Sequence, residues 1–147
     1  MIANDKHRKL IGRWKFESET QFDEYLKEIG INAIKRKIAL TSHPVVSIAI
    51  DNQTNTWYTS MEAFMRKEQW KFTPGEEFRA KTVDGRIFLT TVVLNENGEA
   101  TEIQKNVEND DSVCSKIRRY VDENDKLNVI CEANGVVAHR IYRRLSN

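Results

Sequence analysis

From Val45 onward, residues that favour tight turns interrupt the chain at short, regular intervals. Asn97-Gly98 and Asn134-Gly135 are typical pairs, and such pairs mark hairpins between antiparallel strands. The segments between the turns are short and rich in β-branched residues, as in Arg86 to Leu94 and Val113 to Val121. This pattern predicts an all-β fold of about ten strands, counting one strand near the start of the chain.

A sheet with so many sequential strands either closes into a barrel or curls strongly. A barrel of roughly ten strands is wide enough to hold a ligand instead of filling its interior with side chains. We therefore expect an antiparallel up-and-down barrel formed by one domain, residues 1–147. Residues 1–9 are polar and charged, and we expect them to form a flexible N-terminus.

The chain before Val45 contains the predicted helices. Leu10 to Phe16 is expected to be the first strand. Four apolar residues then repeat at the spacing of one helical face: Phe22, Tyr25, Leu26 and Ile29. Gly30 ends this helix, and Asn32 can cap a second one. Three residues of the second helix are expected to face inward: Ala33, Ile34 and Ile38. The helical pair is expected to cover one open end of the barrel.

Composition argues against several functional classes. Lysine and arginine total 23 against 22 acidic residues, a net charge of +1, so no nucleic-acid partner is expected. The apolar stretches are too short to cross a bilayer, and no secretory signal is visible at the N-terminus. Two cysteines, Cys114 and Cys131, do not make a disulfide framework, so we expect a cytoplasmic protein in a reducing environment.

The last predicted strand, Val136 to Arg144, carries the most informative side chains. Strand side chains alternate between the two faces, so Arg140 and Tyr142 share one face. If that face is outward, both are ordinary surface residues. If it is inward, a guanidinium lies inside the barrel, and it requires water and an anionic guest. Alternation by itself leaves both interpretations open.

A neighbouring strand indicates that part of the interior is polar. In Val113 to Val121 the more apolar face would bring Arg119 inward, although a register shifted by one residue would place Arg118 there instead. In the next strand, Val129 and Cys131 share a parity that also suits the interior.

Four segments together resemble the intracellular lipid-binding protein family, which includes the fatty-acid-binding and cellular retinoic-acid-binding proteins. The likeness runs from about Leu10 to Arg144. Its segments are Gly12-x-Trp14-x-Phe16 with Phe22 to Leu26, Gly30 to Ala33 with Arg36 to Ala39, Gly75 to Phe78 with Thr82 to Arg86, and Val136 to Tyr142. The last segment is similar to the form found in members that bind a carboxylate through two arginines and a tyrosine. Gln21 and Ala80 depart from the residues usual in the family.

The resemblance implies a ten-stranded barrel with an interior ligand cavity under a helix–turn–helix lid. It implies that Arg140 and Tyr142 point inward and bind a ligand carboxylate, with Arg119 contacting it directly or through water. Relatives that bind retinol carry glutamine at the arginine positions, so an acid is favoured over an alcohol. The expected function is a monomeric, non-enzymatic carrier of a long-chain fatty acid. Two alternatives stay open, a retinoic-acid carrier and an adaptor that uses the barrel surface.

The resemblance also implies a portal and upper cavity lined by five apolar residues: Phe22, Leu26, Ile31, Ile38 and Phe64. Four basic residues form a patch on the lid: Lys27, Lys35, Arg36 and Lys37. This lid basic patch is either a solvated helical face or a surface that docks transiently on anionic membranes. Relatives that enter the nucleus are thought to form an import patch from positions matching Lys27, Arg36 and Lys37, so nuclear entry is a further expectation.

No catalytic or metal-binding set is predicted. The three histidines, His7, His43 and His139, are scattered without the spacing of metal ligands. Cys131 lacks a nearby base, because His139 has the parity opposite to Arg140. We therefore expect no metal, no cofactor and no enzymatic activity, and we interpret Cys131 as a small apolar wall residue.

Overall fold

The computed structural model describes residues 1–63, 65–81, 85–107 and 113–146. Its strands are β1 (Gly12–Thr20), β2 (Val45–Asp51), β3 (Thr56–Ala63), β4 (Arg66–Phe72), β5 (Phe78–Lys81), β6 (Ile87–Leu94), β7 (Ala100–Asn106), β8 (Val113–Val121), β9 (Lys126–Ala133) and β10 (Val136–Arg144). They form a ten-stranded sheet in the order β4-β3-β2-β1-β10-β9-β8-β7-β6-β5. The ten-stranded antiparallel barrel predicted from the sequence is therefore confirmed, and the structure shows that it is nearly closed.

Strand β1 lies inside the sheet and pairs with β2 on one side and with β10, the last strand, on the other. Gly12 to Lys15 pair with β2, whereas Trp14 to Thr20 pair with β10. The register with β10 shifts between Phe16 and Ser18. A bulge of this kind bends a strand and increases its twist, which allows β1 to leave one partner and continue along the other.

Strands β4 and β5 are the two edges of the sheet, and aromatic rings cross the space between them. The rings of Phe72 on β4 and Phe78 on β5 are stacked, with centroids 5.1 Å apart and planes 6° apart. Trp57 on β3 stacks on the other side of Phe72, at 6.0 Å. Side-chain packing therefore joins these edges in place of main-chain hydrogen bonds.

The N-terminal segment differs from the flexible end expected for residues 1–9. A 3-10 helix spans His7–Leu10, and both of these residues are buried. The Asn4 side-chain oxygen accepts hydrogen bonds from the backbone N–H groups of Lys6 and His7, and its amide donates to the Glu96 carbonyl oxygen. The first predicted strand also begins two residues later than Leu10. The Trp14 indole N–H donates to the Leu10 carbonyl oxygen at 3.0 Å, which ties the segment to β1.

Two helices follow β1: α1 (Phe22–Glu28) and α2 (Ala33–Thr41). The predicted cap of α2 is confirmed, because the Asn32 side chain accepts a hydrogen bond from the Lys35 backbone N–H. The predicted inward face of α2 is wrong. Ala33 is exposed, and the exposed fractions of Ile34 and Ile38 are 76% and 53%.

The opposite side of α2 faces the rest of the protein. Arg36 is half-buried, and its side chain turns toward α1, where Nε lies 2.9 Å from a carboxylate oxygen of Asp23 and Nη1 donates to the Ile31 carbonyl oxygen at 2.8 Å. Ala39 packs against the core from the same side. Apolar periodicity predicted the wrong face because a charge-assisted contact with α1 sets the orientation of this helix.

We predict that Gly98→Ala destabilises the protein more than Gly135→Ala. Both glycines have positive φ, +99° and +83°, so either change costs about 1–2 kcal/mol of backbone strain. At Gly98 a Cβ would also lie 2.8 Å from Lys6 Cβ and 3.2 Å from the Lys6 carbonyl carbon, whereas nothing lies within 4 Å at Gly135. Overpacking should add about 1–3 kcal/mol at Gly98, measured by urea unfolding.

The same pair of variants tests the docking of the N-terminal segment. In a protein that lacks residues 1–6, Gly98→Ala should destabilise no more than Gly135→Ala, because Lys6 is no longer present. An extra cost that survives the truncation would mean that the segment does not pack against the turn between β6 and β7.

Candidate functional site

Two of the site residues predicted from the sequence, Arg119 and Arg140, project from the same face of the sheet. In the register, Arg119 on β8 and Arg140 on β10 both lie opposite Val129 on β9. Val129 is buried, so its face is the interior, and the two arginine side chains share that interior face. The alternative residue, Arg118, has the opposite parity; 46% of its side chain is exposed and it pairs with Glu99. The structure places Arg119, and not Arg118, on the inner side.

Arg140 is buried in an aromatic environment and is only 6% exposed. Its guanidinium carbon lies 4.4 Å from the ring centroid of Phe16 and 3.9 Å from that of Phe22. Its Nε donates a hydrogen bond to the Tyr142 hydroxyl oxygen at 3.1 Å. Among the described residues, neither an acidic side chain nor any hydrogen-bond acceptor contacts Nη1 or Nη2. The site therefore contains a buried cation that is stabilised by neutral groups and still has free donors.

Arg119 has a different environment, because an acidic residue accompanies it. Its Nη1 lies 3.2 Å from Oε1 of Glu102, and the Gln104 amide donates to Oε2 of the same carboxylate at 2.9 Å. Glu102 on β7 lies opposite Val92 and Ile117, which places it on the inner face. The exposed fractions of the Arg119 and Glu102 side chains are 29% and 18%. An ion pair therefore lies inside the barrel, within reach of solvent.

Sequence reasoning missed Glu102 and Gln104. Strand β7 reads Ala-Thr-Glu-Ile-Gln-Lys-Asn, so the usual rule of apolar residues inside would direct Ile103 inward. The only available signal was parity, since Glu102 and Gln104 share a face with the buried Ala100. An inward polar face of this kind can be explained only when its charged partner on the neighbouring strand, here Arg119, is known.

Helix α1 reaches into the same interior through Tyr25. The Tyr25 hydroxyl lies 2.5 Å from the hydroxyl of Ser115 on β8, and both residues are buried. Burial is the main reason why the pKa of Tyr25 is raised, so the phenol stays protonated. Burial also raises the pKa of Cys131 to about 11, against the opposing charges of Arg119 and Arg140. A protonated, enclosed thiol agrees with the interpretation of Cys131 as a wall residue.

The predicted portal residues have different positions. Leu26 is buried, and Phe22 and Ile31 are half-buried and pack against the core. Ile38 is mostly exposed, and Phe64 lies outside the described residues. Phe22 also has a contact that the sequence did not predict, because its ring covers the guanidinium of Arg140.

The lid basic patch is not uniform. Lys27, Lys35 and Lys37 are exposed, but Arg36 is half-buried and paired with Asp23. Arg36 therefore differs from the three lysines of the patch, because its guanidinium is turned toward α1. The basic surface of the lid consists of the three lysines, beside the exposed Ile34 and Ile38.

Other kinds of site were also considered. Within the described part of the chain, His, Cys, Asp and Glu side chains do not converge in groups of three or more that could hold a metal ion. Across the same residues, neither helix has the length and apolar character needed to span a bilayer. The Cys131 side chain is buried and does not form a disulfide within the described part of the chain.

Comparison with known proteins identifies the family. The sequence profile of the lipocalin / cytosolic fatty-acid binding protein family matches residues 11–145. The chain belongs to this family. Fatty acid-binding protein homolog 6 of Caenorhabditis elegans is 35% identical over 137 residues, which cover 93% of this chain and 98% of the relative. Human fatty acid-binding protein 9 is 35% identical over 136 residues, 92% of this chain and 97% of the relative.

A solved structure of the family superposes closely on this barrel. The fatty acid binding protein of Schistosoma mansoni, in complex with arachidonic acid, has a TM-score of 0.86 and 28% identity, with coverage of 96% of this chain and 99% of that chain. The resemblance read from the sequence motifs is thus confirmed. The fold and the family are those of lipid carriers.

We predict that the raised pKa of Cys131 contributes to a loss of folding stability at alkaline pH. The folded thiol keeps its proton to about pH 11, whereas the unfolded thiol releases it near its ordinary value of 9.0. As the pH rises between these values, the unfolded chain loses its thiol proton before the folded protein does. The free energy of unfolding therefore falls, by about 1 kcal/mol at about pH 10.

The measurement compares Cys131→Ala with the parent protein by urea unfolding at neutral and alkaline pH. At neutral pH the parent should be more stable, because the variant loses buried packing. That difference should shrink by about 1 kcal/mol at about pH 10. A difference that stays constant with pH would show that the thiol does not titrate in this way.

Proposed function

We propose that this member of the family is a non-enzymatic carrier of a long-chain fatty acid, with the carboxylate bound by Arg140 and Tyr142. The observation that supports this proposal is the buried Arg140 guanidinium, which has no acidic partner among the described residues. A buried cation without a counterion is costly, and a carboxylate ligand would relieve that cost. The free Nη1 and Nη2 donors suit the two oxygens of a carboxylate.

The binding energy of a long-chain fatty acid is divided unequally between its carboxylate head group and its acyl tail. Burial of an acyl chain contributes roughly 0.8 kcal/mol per methylene, so a long chain supplies on the order of 10 kcal/mol before entropic losses. A charge-assisted hydrogen bond contributes about 1.5–3 kcal/mol. The tail would therefore dominate affinity, while Arg140 and Tyr142 select an acid over an alcohol and fix its orientation.

Arg119 has a secondary role in this proposal. Its Nη1 is engaged by Glu102, so it interacts with the ligand carboxylate at longer range or through water, as some of the interior accepts solvent. The names of the relatives agree with a fatty acid as ligand. Retinoic acid and a surface-adaptor role are the alternatives, and mass spectrometry of lipids extracted from the native protein distinguishes them: a fatty acid, a retinoid, or no stoichiometric lipid.

We predict that Arg140→Gln weakens fatty-acid binding by roughly one to two decades without abolishing it, because the tail contacts remain. A matching fatty alcohol should bind as well as before or better. The ligand-free variant should be at least as stable as the parent, because an interior cation has been removed. Titrations of acid and alcohol with both proteins, together with thermal melts, give all three quantities.

Arg118→Gln is the matched control, since Arg118 is adjacent in sequence to Arg119 but lies on the outer surface with Glu99. It should leave both affinities unchanged. Equal losses of acid and alcohol in Arg140→Gln, or no loss of either, would contradict the assignment of the carboxylate to Arg140.

We also propose that the carrier exchanges ligand during transient contact with anionic membranes. Exposed Ile34 and Ile38 on α2 lie beside the exposed Lys35 and Lys37. Each basic residue near an anionic surface contributes about 1 kcal/mol to docking. The monomeric, cytoplasmic protein envisaged here would meet such surfaces inside the cell. An import patch for nuclear entry would depend on Lys27 and Lys37, because Arg36 is engaged by Asp23.

We predict that the double change Lys35→Glu with Lys37→Glu slows ligand transfer to anionic vesicles and reduces its salt dependence, while equilibrium affinity stays nearly unchanged. Transfer of a fluorescent fatty acid to acceptor vesicles measures the rate. The control is Lys9→Glu with Arg13→Glu, which makes the same charge change on exposed residues near the docked N-terminal segment. Equal rates for all three proteins would mean that the lid lysines are only a solvated face.

A further inference from the structure

The Arg119–Glu102 pair changes the charge balance of the barrel interior. Arg119 and Arg140 both lie on the inner face, and Glu102 neutralises one of them at 3.2 Å. Gln104 donates to the second carboxylate oxygen and so holds Glu102 toward Arg119. Of these two arginines, Arg140 is therefore the one without an acidic partner among the described residues, which matches a ligand with a single carboxylate.

The pair still has hydrogen-bonding capacity on both sides. A carboxylate offers about four lone-pair sites, and Glu102 uses one on each oxygen. Nε and Nη2 of Arg119 have no partner among the described residues. An acceptor and a donor therefore lie side by side in a part of the interior that solvent can reach. A hydroxyl group, which both donates and accepts, is complementary to this arrangement, whereas a second carboxylate would be repelled by Glu102.

We propose that Glu102 is a specificity-determining residue: with Arg119 it forms a second polar subsite that binds a hydroxyl group on the acyl chain and excludes a second carboxylate. The preferred ligand class is a hydroxylated fatty acid. This inference rests on the proposed function, in which the first carboxylate lies at Arg140.

The register indicates where such a hydroxyl lies along the ligand. Arg140 and Arg119 are two strands apart, with Val129 between them. Adjacent strands are about 4.8 Å apart, so the two backbone positions are separated by roughly 10 Å. We therefore expect the hydroxyl to lie several carbon atoms from the carboxylate, and the ligands of the test are chosen accordingly.

The experiment compares four ligands by titration: a long-chain acid, the same acid with a mid-chain hydroxyl, and a monocarboxylic and a dicarboxylic acid of one intermediate length. The parent should prefer the hydroxy acid over the plain long-chain acid by about tenfold, the value of one charge-assisted hydrogen bond. It should bind the dicarboxylic acid less well than its monocarboxylic match.

Glu102→Gln is the decisive variant, because it keeps the shape of the side chain and removes its charge. Affinity for the dicarboxylic acid should rise by about tenfold or more relative to the monocarboxylic acid, and the preference for the hydroxy acid should fall. The matched control is Glu99→Gln, since Glu99 makes the same kind of pair with Arg118 on the outer face, at 3.1 Å. It should change neither ratio.

Unchanged ratios in Glu102→Gln would overturn the proposal and leave Glu102 as a structural partner of Arg119. If that variant does not fold, Glu102→Asp tests the proposal instead. This change keeps the negative charge and shortens the side chain by one methylene. It should reduce the preference for the hydroxy acid and still exclude the dicarboxylic acid, and retention of the full hydroxyl preference would contradict the subsite. Failure of the underlying function is separate, since Arg140→Gln would then leave plain fatty-acid binding unchanged.

Discussion

The burial of the Arg140 guanidinium is the constraint on which the arrangement of this barrel depends. A charge held away from water must be stabilised by its surroundings, and here the surroundings are the rings of Phe16 and Phe22 and the Tyr142 hydroxyl. These groups come from β1, from the first residue of α1 and from β10 itself. The pairing of β1 with β10 and the packing of α1 against β10 are therefore both needed to hold this one side chain.

The two interior arginines solve the same electrostatic problem in different ways. Arg119 has a carboxylate from the protein, whereas Arg140 has aromatic faces and a neutral hydroxyl and keeps free donors. Desolvation penalises a charge in either place, but only the second arrangement leaves the compensating charge to be supplied by a ligand. In this interpretation the difference between the arginines, and not their number, defines where a carboxylate binds.

The sequence predicted the barrel well because its signals are local. Turn pairs and alternating strands repeat along the chain, and each pairing joins neighbours except where β1 meets β10. The prediction was wrong where a charged contact between elements outweighed periodicity, as at Arg36, whose pairing with Asp23 turns Ile34 and Ile38 outward. Glu102 was missed for a related reason: a polar residue belongs inside only when its partner on another strand is known. Residues 1–9 carried no sequence pattern that revealed their docking, which rests on the Asn4 side chain.

The two helices of the lid are attached to the barrel by different numbers of contacts. Helix α1 is fixed to the barrel by the Tyr25–Ser115 hydrogen bond and by Arg86, whose Nη1 donates to the Ile29 carbonyl oxygen at 2.6 Å. Helix α2 has no buried residue and is joined to α1 through Arg36. Elements with few buried contacts open at the lowest free-energy cost, so α2 is the part of the lid that moves most easily. Under the proposed function, the Phe22 ring that stabilises the Arg140 guanidinium would also have to move when a carboxylate approaches from the side of α1.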